Sequence, residues 1–155
     1  MITSDYITSD IIKDVVKIAA YVGGRSHDDV SAYSRIAISE EDYPKLRMHL
    51  PEVCSLLEIA LRDFNVVATP NALVVRVQIE PTNRWQSRHL DAVNHGVRAY
   101  IINMLAAKWL FVVAPEAAKT YEDAATAELS GLPPLLYDKT PPLRRSGSDG
   151  CMVVQ

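Results

Sequence analysis

The apolar positions of this chain follow two rhythms, one of three and four residues and one of two. Ile11, Ile12, Val15, Val16, Ala19 and Ala20 recur at helical spacing, with Ser9 and Asp10 before them and Gly23 and Gly24 after. That spacing predicts an amphipathic helix that the glycines stop. Leu50, Val53, Leu57, Ala60, Leu61 and Phe64 form a second stripe. Ser39 with Asp42 three residues on predicts a capping box at its start, with Ile38 and Tyr43 as the hydrophobic staple. Pro44 fits only a first turn, and Pro51 predicts a kink or a break between two short helices. The intervening stretch, 25–37, is polar without period and reads as a loop.

Between 65 and 79 the rhythm becomes alternation. Val75, Val77 and Ile79 share one face and Arg76 and Gln78 the other. Val66 and Val67 lie across Thr69-Pro70-Asn71, where Pro presets one turn dihedral and Asn tolerates the left-handed one. The prediction is a β-hairpin that must lean on the helices or on another subunit. A long helix follows from about Ser87 to Val113. Arg84, Arg88, Asp91, His95 and Arg98 line its polar face, and Val93, Val97, Tyr100, Ile101, Met104 and Leu105 the other. Beyond Ile101 it is apolar nearly all round, Trp109 and Phe111 included, so it is either central in the fold or covered by a partner.

Pro115 and Glu116 open a last helix with the stripe Ala118, Tyr121, Ala125, Leu129 and Leu132, ended by Gly131 and Pro133. Its alanines allow close approach, so it should pair antiparallel with the long helix. Two Pro-Pro pairs after Leu132 favour an extended, stiff chain. The expected fold is mainly α: a bundle of about four helices with one β-hairpin between the second and third. Residues 1–132 form this domain and 133–155 a Pro-rich extended C-terminal arm. An arm of that kind implies that a chain ending at Leu132 folds with nearly unchanged helicity.

Composition excludes more than it identifies. The chain has 155 residues, 48% of them hydrophobic, and a formal charge of -3, which argues against nucleic acid as the main partner. The apolar run from Ala99 to Ala114 carries Asn103 and Lys108 and is shorter than a bilayer span, so a buried helix and no membrane contact are expected. No secretion signal is visible, and Cys54 and Cys151 are too few for a disulfide framework, which points to a reducing cytoplasm.

The titratable clusters have plainer explanations than catalysis or metal binding. His89 and His95 lie six apart on different faces of one helix and make no metal pair. Asp91 and His95 share a face, but a solvated pair among arginines explains them better than an acid orienting a base. His27-Asp28-Asp29 lacks a partner histidine, and Gly23-Gly24-Arg25-Ser26 lacks the spacing of a phosphate loop. No enzymatic activity, cofactor or metal is expected. Two features exceed what a small bundle needs for itself: the apolar surface around Trp109 and Phe111, and the arm's Leu135, Leu136, Tyr137 and Leu143 with Arg144 and Arg145 near its tip.

The order of a capped start at Ser39-Glu40-Glu41-Asp42, a helix, a hairpin and two final helices resembles the head–tail adaptor proteins of tailed bacteriophages. The last third is similar to small phage and prophage proteins through Trp109-Leu110, Pro115-Glu116-Ala117-Ala118, Tyr121, Leu129 and Pro142-Leu143-Arg144-Arg145. The resemblance spans 36–146, and Pro51 and the 25–37 loop depart from it. It implies a virion protein of the neck, made in the bacterial host cytoplasm. Its subunits would form a ring, commonly a dodecamer, beneath the portal, joining portal and neck or tail proteins while DNA passes through without being read. Leu135, Leu136, Tyr137, Arg144 and Arg145 match the docking arm of such proteins. The alternative is a soluble protein-binding or regulatory module of a phage or mobile element that uses the long helix to bind one partner.

Overall fold

The computed structural model describes residues 1–25 and 30–137. The chain begins with strand β1 (Ile2–Ile7) and continues into helix α1 (Thr8–Arg25) and a short helix α2 (Val30–Ile36). Helix α3 (Tyr43–Ala60), strands β2 (Val67–Pro70) and β3 (Val74–Ile79), and helices α4 (Leu90–Val113) and α5 (Pro115–Tyr137) follow. The fold is mainly helical with one small antiparallel sheet.

The expected two-stranded hairpin is part of a three-stranded sheet of order β1-β3-β2. β1 pairs antiparallel with β3, Ile2 opposite Ile79 and Tyr6 opposite Val75. This is the support a lone hairpin lacks. Val75, Val77 and Ile79 are buried, while on the other face Arg76 makes a bidentate contact with Asp5 of β1, both bonds at 2.7 Å. At the β2–β3 turn Asn71 acts through its side chain, Oδ1 accepting the N–H groups of Leu73 and Val74 at 2.8 Å. The left-handed conformation expected of Asn71 belongs to Asn65 (φ 47°), where the turn after α3 enters β2.

Glycine does not stop α1, which runs through Gly23 and Gly24 to Arg25. Gly23 is there for proximity: a Cβ on it would lie 3.1 Å from Tyr33 Cδ2. The expected 25–37 loop is corrected in the same way, since 30–36 is the helix α2. Tertiary contact holds it, with Ile36 buried beside Leu110 and Ala118, and the indole N–H of Trp109 donating to the Ile36 carbonyl at 2.8 Å. Asp42 accepts the Ser39 N–H at 3.1 Å and its hydroxyl at 3.0 Å, and α3 opens one turn later with Pro44 in its first turn. No break occurs at Pro51.

α4 is the centre of the fold. It packs on α5 along its length and on α1, α3, α2 and β1. Val93, Val97, Ile101 and Leu105 are wholly buried. By length and composition the stretch 87–113 could cross a membrane, an 18-residue window of it having mean hydropathy 1.4, but half of that window is buried inside this fold. The α4–α5 crossing is close at Gly96, where an added Cβ would lie 2.8 Å from Leu132 Cδ2.

The largest correction concerns the arm. α5 does not end at Gly131 or Pro133 but continues through Pro133-Pro134 to Tyr137. Each interior proline costs about 3 kcal/mol relative to Ala, because it lacks an N–H and crowds the preceding turn. Burial and capping offset this: Leu132 is 1% and Leu136 0% exposed. The carbonyl of Leu135 accepts the Trp85 indole N–H at 2.9 Å, and that of Leu136 accepts the Thr82 hydroxyl at 3.1 Å. The boundary expected at 132/133 therefore cuts through a packed helix.

Candidate functional site

The residues singled out for interaction separate into three groups. Leu136 is core, Leu135 is half-buried against it, and Tyr137 is 50% exposed with its ring edge-on to Phe64 at 4.7 Å. Leu143, Arg144 and Arg145 lie outside the described residues. Trp109 is half-buried against the core and tied to α2 by its indole N–H. Phe111 is not: it is 71% exposed and Val112 83%, with Val113 beside them at the end of α4. An all-round apolar helix end is thus divided by the fold into a buried half and an uncovered half.

Next to that end, α2, the start of α3 and the end of α4 enclose a groove of about 520 Å³, walled by Lys45, His49, Lys108, Trp109, Val112 and Val113. Its lysines are matched. Lys45 pairs with Asp42 at 3.1 Å, and Lys108 with Glu52 across the α3–α4 seam. The N–H of Ser39 and then Lys45 hold the Asp42 carboxyl below its ordinary 3.8, and Lys108 holds Glu52 below its ordinary 4.5. A carboxyl depressed in the folded state adds stability above its unfolded value, and that stability is lost as pH falls through the folded value. Melting temperature should therefore decline below about pH 4.5, and less steeply in Glu52→Gln. Identical acid limbs for the two proteins would show that the seam pair contributes nothing.

The chemistry candidates are dispersed. No hydrogen bond or ion pair joins Asp91 to His95 among the described residues. His27 and Cys151 lie outside them. Cys54 is buried, and burial, then the charge of Glu58, push its thiol up to about 11, the reverse of what a nucleophile needs. Among the described residues no three His, Cys, Asp or Glu side chains are placed to hold a metal ion. Sequence reasoning missed one cluster. Asp14 of α1 accepts from Arg98 of α4 at 2.6 Å, on the wall of a cavity that also holds Lys17, His95 and Asn103. The helix period assigns each of these to a polar face, but no local signal pairs residues 84 positions apart.

No protein family, curated protein or solved structure matches the chain.

Proposed function

We propose that this protein is a structural subunit of a phage head–tail connector that assembles with copies of itself into a ring. The observation that carries this reading is the uncovered end of α4. Phe111 and Val112 are more than two-thirds exposed, and Met48 of α3 is 77% exposed. Met48 and Val112 lie one helical turn from Glu52 and Lys108, the ion pair joining the two helices. Apolar surface of this kind is disfavoured in water and gains stability when a neighbouring subunit covers it. A ring needs a heterologous contact, so this end would meet a different face of the next copy. The net charge of -3 suits a channel wall that lets DNA pass without gripping it. The role is mechanical, and no cofactor takes part in it.

A second reading rests on the same surface: one foreign protein covers the α4 end, and the chain is a regulatory or binding module. Light scattering on a size-exclusion column, with electron microscopy of the peak, separates the two. The ring reading expects particles many times the 17.2 kDa of one chain. It also expects a Phe111→Asp, Val112→Asp double variant to run as a folded monomer with the helical circular dichroism of wild type, melting lower because the subunit contact is gone. A wild-type protein that stays monomeric alone and with portal and neck components sinks the ring and leaves the binding module.

A further inference from the structure

The α1–α4 cavity has chemistry of its own. It measures about 350 Å³, with Lys17, His95, Arg98, Asn103 and Asp14 as its polar wall and Ile18 and Ile102 as its apolar one. Two permanent cations face one carboxylate there, with an imidazole beside them. Arg98 gives Asp14 one short bond from Nη2, leaving the rest of its five-donor fork available. Lys17 stands 3.7 Å from Asp14, and its side chain is 79% exposed, so its ammonium keeps free donors. Asn103 is half-buried in the wall and makes no side-chain hydrogen bond among the described residues. Donors therefore outnumber acceptors, and Asp14 holds the guanidinium in place.

We propose that this cavity binds a phosphate ester, its oxyanion taken by Lys17, Arg98, His95 and Asn103 and its organic part lying against Ile18 and Ile102. Arg fits such an oxyanion through paired N–H donors, and the lysine adds a point charge that tolerates variable geometry. The volume is at the lower end of small-molecule sites, room for a phosphate and one small group. A free phosphate ester and the backbone of a nucleic acid strand share this chemistry. The site lies on other residues than the α4 end and does not depend on ring assembly.

The test is a heteronuclear NMR titration of the full chain with inorganic phosphate, a nucleoside monophosphate and a short single-stranded oligodeoxynucleotide. Saturable shifts at Lys17, His95 and Asn103 are expected. Binding strongest for the monophosphate identifies a free ester, and binding strongest for the oligonucleotide identifies a strand backbone. Lys17→Gln and Asn103→Leu should each weaken binding about three- to tenfold. Asp14→Asn should tighten it, because it removes the carboxylate that competes for Arg98. The high exposure of Lys17 keeps Lys17→Gln folded even if changes at Asp14 disturb the helix contact, and melting curves check each variant. No shifts at these residues with any of the three probes, or shifts that Lys17→Gln leaves unchanged, would overturn the proposal.

Discussion

A chain ending at Leu132 is expected to melt far below the full-length protein. The truncation removes Leu136, which is 0% exposed, along with the half-buried Leu135 and the contact of Tyr137 with Phe64. It also strips Trp85 and Thr82 of the carbonyls they bond. Leu136→Ala alone should cost about 2–5 kcal/mol, the loss of buried methyl groups plus the cavity they leave. In a domain of this size that lowers the melting temperature by roughly 5–20 °C. The truncation should cost at least as much, because it opens the same hole and exposes the neighbours of Leu136. Thermal unfolding of both proteins by circular dichroism is the measurement. A truncated chain that melts with the full-length protein would mean that 133–137 is a dispensable tail, as the proline pairs alone suggest.

That case shows where local rules lose to burial. Pro133-Pro134 read correctly as a poor helix, yet Leu132 and Leu136 are spaced four apart and extend the stripe of Ala118 and Ala125. Tertiary packing supplies most helical stability in proteins, so the continuing stripe outweighs the missing N–H groups. The same reasoning applies to Gly23-Gly24 and to α2, where contacts with Tyr33, Ile36 and Trp109 are invisible to a period count. The long central helix and the alternating β3 were legible because their patterns are long and unbroken. β1 was not, because its inward positions read Ile2, Ser4, Tyr6. Ser4 interrupts the apolar alternation and is accommodated only because its hydroxyl donates to Asn94 on α4. Ile7 then points outward, 54% exposed, which further blurs the pattern.

The candidate surface was legible in part for a related reason. A run apolar on all sides reveals that some of it faces no water, but not which part the fold itself covers. Trp109 and Phe111 are two residues apart, hence on different faces of one helix. Only the position of α2 decides that the first is half-buried against the core and the second is surface. The Asp14–Arg98 contact was beyond reach, since charge pairs between distant elements leave no periodic trace.

Replacing Leu105 by Ala should produce the second large loss, and its contrast with Phe111→Ala tests the division of α4 directly. Leu105 is 0% exposed in the main core cluster, on the helix that touches nearly every other element. Its truncation removes buried apolar surface and leaves a cavity that surrounding helices close only in part, for about 2–5 kcal/mol. Phe111 lies six residues on, and its ring is mostly in water, so its truncation should change stability by about 0.5 kcal/mol or less. Both changes keep good helix formers in α4, so propensity cannot account for a difference between them. Denaturant unfolding at a concentration where wild type and variants are all monomeric compares them: the midpoint should fall sharply for Leu105→Ala with the slope retained, and stay near wild type for Phe111→Ala. The assembly assay should rank the two in the opposite order, once Leu105→Ala is measured at a temperature where it remains folded. A Leu105→Ala protein as stable as wild type would make α4 peripheral. A Phe111→Ala protein that loses several kcal/mol would mean that its ring is covered within the monomer and is not a subunit contact.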